Sequence, residues 1–67
     1  MARARVKWFD SRKGWGFIVD KDGREWFVHH KEIDAPGFKS LKAGREIEFE
    51  PAENEKGAYA ANVRPLS

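Results

Sequence analysis

The sequence predicts an all-β fold in which five short strands close into a small barrel. Two observations predict it. No segment sustains a 3.6-residue hydrophobic period for more than one turn. Apolar and polar residues instead alternate in short runs, which are separated by turn-forming residues. We expect the barrel to close, because closure hides the sheet edges that would otherwise pair with other chains.

Turn-forming residues place the strand boundaries. Asp22-Gly23 between two strand-like runs is typical of a tight hairpin. Residues 30–34 fit a single helical turn with Ile33 directed inward, and Pro36-Gly37 breaks any longer helix. The predicted strands are residues 3–10, 15–20, 25–30, 45–50 and 58–64.

Side-chain parity predicts the core. In the fourth strand Ile47 and Phe49 face inward, while alternate glutamates form an acidic solvent face that repels phosphate. In the first strand Val6 and Trp8 have the same parity, so a β-bulge must separate them if Val6 is buried and Trp8 exposed. The predicted core consists of Val6, Ile18, Trp26, Val28, Ile33, Leu41, Ile47, Phe49 and Val63.

Length and composition exclude several classes of protein. We expect one domain over residues 1–67, since a chain this short buries only roughly 60% of its unfolded surface. Without cysteine there is no disulfide and no thiolate metal site, and two adjacent histidines do not make a zinc site. No apolar run is long enough for a membrane span or a signal peptide. We therefore expect a soluble, cytoplasmic protein without cofactor or metal, and a monomer suffices.

Charge is distributed unevenly along the chain. Residues 1–45 carry eleven Lys and Arg against six Asp and Glu, whereas residues 46–67 carry two against five. The basic part suits a protein that presents one face to phosphates, although a mixed soluble surface is the alternative.

Aromatic residues in two predicted strands indicate a binding face. Trp15 and Phe17 stand two residues apart and so share a face, as do Phe27 and His29. The glycines beside Trp15 are interpreted as leaving bare backbone, and Lys13 adds a cation. Flat rings near positive charge suit the bases of single-stranded nucleic acid, because stacking needs only a π-face.

Five segments in register carry a resemblance to a known family. They are V-K-W-F at 6–9, K-G-W-G-F-I at 13–18, F-V-H at 27–29, G-F-K-S-L at 37–41 and A-A-N-V at 60–63. The chain resembles the bacterial cold-shock proteins. That resemblance implies a five-stranded antiparallel barrel of the OB type that binds single-stranded RNA and DNA with little sequence specificity. It also implies an RNA chaperone that melts RNA secondary structure and so affects translation and antitermination, with no enzymatic activity.

The resemblance also implies which residues bind. Lys7 and Lys13 would meet phosphates or base edges, Lys56 would do so less certainly, and Asp10 would lie beside them. The stacking residues would be Trp8, Trp15, Phe17, Phe27, His29, His30 and Phe38.

Several positions depart from the usual pattern of that family. Asp10 replaces the common Asn and adds a negative charge, while Trp15 replaces a smaller aromatic residue. His30 replaces Phe or Tyr, so that stacking there would weaken and depend on pH. Trp26 stands where a smaller aliphatic residue is usual, and Ala58-Tyr59 stands where Pro-Gln is usual.

Two other functions were weighed. An SH3-like groove also uses surface aromatics, but such grooves usually carry acidic loops, and Arg12 and Lys13 flank this one. A metal-free ribonuclease would start from His29 and His30 with a nearby carboxylate. Adjacent strand residues point to opposite faces, which argues against these histidines sharing one substrate.

Overall fold

The computed structural model describes residues 1–34 and 40–66, which form a closed five-stranded barrel. A single 3₁₀ turn at His30–Glu32 follows the third strand. Neighbouring strands follow the order β1-β2-β3-β5-β4, and β4 pairs back with β1. The strands are β1 Ala2–Asp10, β2 Trp15–Asp20, β3 Glu25–His29, β4 Glu46–Asn54 and β5 Gly57–Pro65. The predicted all-β barrel is confirmed, and no helix within the described ranges is long and apolar enough to cross a membrane.

Strands β3 and β5 differ in direction from the expected antiparallel pattern. They run parallel, with Phe27 opposite Tyr59, and a parallel bridge joins Ile33 to Val63. Parallel neighbours need a long crossover connection. Residues 30–56, which include β4, supply that connection.

Strand β1 contains the β-bulge that the sequence alone left undecided. The register between β1 and β2 shifts between Val6 and Trp8, so that Val6 is buried while Trp8 is 38% exposed. Gly16 of β2 lies directly under this irregularity. A Cβ at Gly16 would clash with the carbonyl oxygen of Trp8 and would lie 2.6 Å from the Cα of Phe9. The absence of a side chain at Gly16 therefore lets the β1 backbone approach closely enough for the bulge to form.

The barrel interior contains all nine residues predicted from parity, each of them buried. Ala4 and Ala60 complete the core, and they were not predicted. Both are small residues, which mark an inward face less clearly than a larger side chain does. Parity was therefore a reliable guide wherever a larger aliphatic or aromatic residue marked the inward face.

Trp26 enters the core because its polar and cationic neighbours accommodate the large ring. Its ring centroid lies 5.3 Å from that of Phe49, and the Arg24 guanidinium lies 4.4 Å from the ring. The indole N–H donates to Asp20 Oδ2 at 3.0 Å. That hydrogen bond lowers the pKa of the Asp20 carboxyl, burial opposes it, and the backbone N–H groups of Arg24 and Asp22 lower it further.

Strand β4 extends four residues beyond its predicted end. Pro51 and Glu53 continue to pair with β5, whereas the pairing of β4 with β1 reaches only Phe49. Beyond that point β4 has one paired side, and proline is tolerated at such an edge because its missing N–H leaves no ladder bond unmade.

Replacing Gly16 by alanine tests the constraint under the bulge. We expect Gly16→Ala to destabilise the barrel by more than about 2 kcal/mol, because backbone atoms rather than a flexible side chain meet the new Cβ. Urea unfolding, followed by tryptophan fluorescence, measures the loss. The control is Gly23→Asn, since Gly23 has a φ of +82° with open space around it and asparagine tolerates that conformation. Equal unfolding of Gly16→Ala and the parent would contradict the constraint.

Candidate nucleic-acid interface

Strand register aligns aromatic residues across the outside of the barrel. Trp8 of β1 pairs with Phe17 of β2, and Phe17 pairs with Phe27 of β3. Directly paired residues project from the same face of a sheet. We call this line of paired residues the aromatic row, and it continues to Tyr59 of β5.

Four of the rings form one continuous cluster. The centroid of Trp8 lies 5.1 Å from that of Trp15 and 5.6 Å from that of Phe17. Phe27 lies 5.9 Å from Phe17 and 5.8 Å from Trp15. All four contacts are edge-to-face or tilted, and aromatic pairs prefer edge-to-face over face-to-face packing. The four rings therefore form one partly exposed aromatic surface on the outside of the barrel.

A second line of pairs runs beside the aromatic row. Asp10 pairs with Trp15, and Trp15 pairs with His29. His30 then joins His29, with the two ring centroids 4.4 Å apart and the planes inclined by 34°. The expectation that these histidines point to opposite faces is wrong, because β3 ends at His29 and His30 begins the 3₁₀ turn.

Backbone contacts hold both histidines in place. His29 Nδ1 accepts a hydrogen bond from the Lys31 N–H at 3.2 Å and so caps the 3₁₀ turn. The His30 N–H donates to the carbonyl oxygen of Gly14 at 2.8 Å. Burial lowers the pKa of His29, as do the charges of His30 and Lys31, against a smaller raising effect of Glu32. These effects favour the uncharged form of the His29 ring.

The interpretation that Gly14 and Gly16 leave bare backbone beside Trp15 is wrong. Both are buried, so they do not offer bare backbone to a partner. A Cβ at Gly14 would lie 2.6 Å from Cδ2 of His30, and Gly16 lies under the β1 bulge. The two glycines therefore shape the surface from below, by letting the ring of His30 and the backbone of Trp8 come close.

Asp10 organises the turn between β1 and β2. Its Oδ1 accepts hydrogen bonds from the N–H groups of Arg12 at 2.9 Å and Lys13 at 3.0 Å. Its carbonyl oxygen accepts from the Gly14 N–H at 2.7 Å. The carboxylate thus fixes the loop that carries Lys13, while placing a negative charge beside Trp15.

The three candidate lysines have different surroundings. Lys13 is exposed and takes part in none of the ion pairs found within residues 1–34 and 40–66. Lys7 Nζ lies 2.8 Å from Glu25 Oε2, with both side chains about half exposed. A pair so exposed is worth at most about 1 kcal/mol, so a phosphate can compete for Lys7. Lys56 lies in the β4–β5 turn, directly after Glu55.

Two residues complete the comparison with the sequence prediction. Phe38 lies outside the described residues. Tyr59 was not predicted as a site residue, although its position in β5 next to buried Ala60 marks it as outward-facing. The sequence alone did not show which strand lies opposite Tyr59. The register shows that this strand is β3.

The carboxylates near the histidines have other partners. Glu32 Oε1 accepts a hydrogen bond from the Asn62 N–H, and Asp34 Oδ2 lies 3.3 Å from the Arg64 guanidinium. Both therefore contact β5. The part of the chain that the structure describes contains no cluster of three or more His, Cys, Asp or Glu residues that could hold a metal ion.

Comparison with known proteins agrees with this geometry. The family model for the 'Cold-shock' DNA-binding domain matches residues 2–66. The chain belongs to the cold-shock domain family. It is 52% identical over 62 residues to a cold shock-like protein of Thermotoga maritima, covering 92% of this chain and 94% of that protein. It is 48% identical over 66 residues to cold shock protein CspB of Geobacillus stearothermophilus, covering 98% and 100%.

Membership of this family settles the broad function. Cold-shock domains bind nucleic acid and are not enzymes, so the ribonuclease hypothesis is excluded. A further relative, cold shock protein CspD of Bacillus subtilis, is 44% identical over 66 residues, covering 98% of this chain and all of that protein. The resemblance drawn from the five sequence segments is thereby confirmed.

Substitutions of Asp10 separate the effect of its negative charge from the effect of its hydrogen bonds. Asp10→Asn keeps a side-chain oxygen for the N–H groups of Arg12 and Lys13 and removes the negative charge. We expect its stability to stay close to that of the parent and its affinity for nucleic acid to rise at low salt, because salt screens exposed charges. Asp10→Ala should lose about 1 kcal/mol of stability with the hydrogen bonds. Thermal unfolding and equilibrium binding at two salt concentrations measure both effects. Equal destabilisation by Asn and Ala would show that the charge, not the hydrogen bonding, holds the turn.

Proposed function

We propose that this protein binds single-stranded RNA and DNA with little sequence specificity and acts as an RNA chaperone without ATP. The observation that carries the proposal is the continuous cluster of Trp8, Trp15, Phe17 and Phe27 on the outside of the barrel. A paired duplex hides its base faces inside the stack, whereas an unpaired strand can lay them on such rings. The cluster is therefore suited to unpaired bases.

Stacking provides enough free energy for binding by so small a protein. Each base stacked on an aromatic side chain contributes roughly 1–3 kcal/mol by alanine substitution. Three or four such contacts, less the cost of ordering the strand, give useful affinity. Specificity stays low because every base has a π-face, and stacking alone reads no hydrogen-bonding pattern.

The assignment of residues follows the geometry. Trp8, Phe17 and Phe27 stack successive bases along the aromatic row. Trp15 and the paired histidines His29 and His30 extend the surface on one side. Phe38, which lies outside the described residues, is proposed as a further stacking residue from the sequence resemblance.

Cations at the edges of the surface meet the phosphates. Lys13 at the β1–β2 turn is exposed beside the histidine side of the surface. Lys7 exchanges its exposed partner Glu25 for phosphate, and Lys56 adds a weaker contact. Because all these groups lie on one chain, a monomer is sufficient.

RNA melting follows from preferential binding by mass action. A ligand that binds only the open form stabilises it by RT ln(1 + [L]/Kd), which is about 2.7 kcal/mol when the ligand is at 100 times its Kd. That shift opens marginal hairpins and needs no ATP. Acting in the cytoplasm on new transcripts, such an activity affects translation and antitermination.

Titration with single strands and duplex tests the proposal. Oligo-dT and oligo-dA should quench the fluorescence of Trp8 and Trp15, because their rings lie in the exposed cluster, whereas a duplex should quench little. Buried Trp26 should contribute little to the change. The parent should also open a fluorophore-quencher RNA hairpin without ATP.

Variants of the aromatic row make this test specific. Phe17→Ala and Phe27→Ala should each weaken binding about fivefold or more while the barrel stays folded. Glu50→Gln, on the exposed face of β4, is the control and should bind no more weakly than the parent, because it removes no ring. Normal binding by both folded alanine variants would contradict the assignment. An absence of quenching by any nucleic acid would direct attention to the peptide-binding alternative.

Removal of the exposed cation tests the phosphate contact. Lys13→Ala should lower affinity for oligo-dT and reduce the slope of log K against log salt by about one unit, because one fewer counterion is released. Lys21→Ala is the matched control, since Lys21 is equally exposed but lies in the hairpin at the other end of β2. A slope that is the same for the parent and Lys13→Ala would remove Lys13 from the phosphate contacts.

A further inference from the structure

Tyr59 occupies the fourth position of the aromatic row. Register pairs Trp8 with Phe17, Phe17 with Phe27, and Phe27 with Tyr59, so one aromatic residue stands on each of β1, β2, β3 and β5. Adjacent strands lie about 4.7–4.9 Å apart, so Tyr59 follows Phe27 at the same strand spacing that separates the other members of the row.

The inward neighbours of Tyr59 fix the side on which it stands. Ala60 is fully buried, and Ala58 packs against the core from the other side. Alternation along β5 therefore directs Tyr59 outward. Its exposure is intermediate, like that of Phe17 and Phe27. On its far side Tyr59 pairs with Ala52 of β4, which is too small to cover a tyrosine ring.

The surface changes character immediately beyond Tyr59. On the same face as Tyr59, strand β4 carries exposed Glu50, and Glu55 follows in the turn. These carboxylates repel phosphate, and Lys56 is the nearby cation in that turn. Tyr59 is thus the last ring before an acidic boundary, where a base can stack but the phosphates gain little.

We propose that Tyr59 is an additional base-stacking residue that extends the platform by one ring onto β5. This inference rests on the proposed function and adds the β5 end of the bound strand to it. The nucleotide at Tyr59 is held by its base and not by its phosphate. Its contribution therefore appears in affinity and leaves the salt dependence almost unchanged.

Three substitutions at Tyr59 test the inference with an oligo-dT series from three nucleotides upward. Tyr59→Ala removes the ring, Tyr59→Leu keeps apolar bulk without a π-face, and Tyr59→Phe keeps the ring without the hydroxyl. The Ala and Leu variants should bind the longer oligonucleotides at least about fivefold more weakly than the parent, with a smaller loss for the shortest. The Phe variant should bind like the parent. The slope of log K against log salt should be the same for all four proteins.

Two comparisons decide the outcome. Thermal unfolding establishes that each variant is folded, and Tyr59→Leu supplies the test if Tyr59→Ala is not. Parent-like binding by folded Tyr59→Leu at every length, or an equal loss at all lengths, would overturn the role of Tyr59. If the role of Tyr59 is overturned in this way while Phe17→Ala and Phe27→Ala lose affinity in the same assay, this inference fails and the proposed function stands. If they also bind normally, the proposed function fails with it.

Discussion

The close approach of β1 to Gly16 is the constraint on which the binding surface depends. Without the register shift between Val6 and Trp8, the regular alternation of side chains along β1 would place both on the same side of the barrel. With it, Val6 fills the core and Trp8 turns outward to meet Phe17 and Trp15. A glycine under the bulge therefore has an effect several ångströms away, because it determines whether the aromatic row begins on β1 or on β2.

The barrel separates the residues of its core from those of the proposed binding surface, both by the face on which they lie and by charge. Inward parity fills the interior with aliphatic residues, Phe49 and Trp26, and the indole N–H of Trp26 donates to Asp20. Outward parity places aromatic rings on β1, β2, β3 and β5, while β4 carries outward glutamates. The proposed binding surface therefore lies on one side of a protein whose net charge is only +2. The distribution of charge matters more to binding than its total.

The sequence predicted the core almost completely, because parity needs only local alternation. It left the bulge undecided, because the shared parity of Val6 and Trp8 requires one only if Val6 is buried and Trp8 is exposed. The prediction was incomplete wherever a contact depended on which strands are neighbours. Tyr59 is opposite Phe27 only because β5 runs parallel to β3.

Two further differences have local causes. His29 and His30 share one surface because the strand ends between them, a boundary that the sequence placed one residue later. The glycines of the central motif were interpreted as exposed, yet both are buried, because a bulge and a histidine ring occupy the space above them.

The most direct test of the central claim is a ¹H–¹⁵N NMR titration of the protein with a short oligo-dT. The account predicts that the indole N–H signals of Trp8 and Trp15 and the backbone amides of Phe17 and Phe27 shift together and saturate with the ligand. The indole N–H of Trp26, bonded to Asp20 in the core, should stay in place and serves as the internal reference. Shifts confined to the glutamates of β4 or to the Arg24–Trp26 region, with the aromatic row unchanged, would contradict the account.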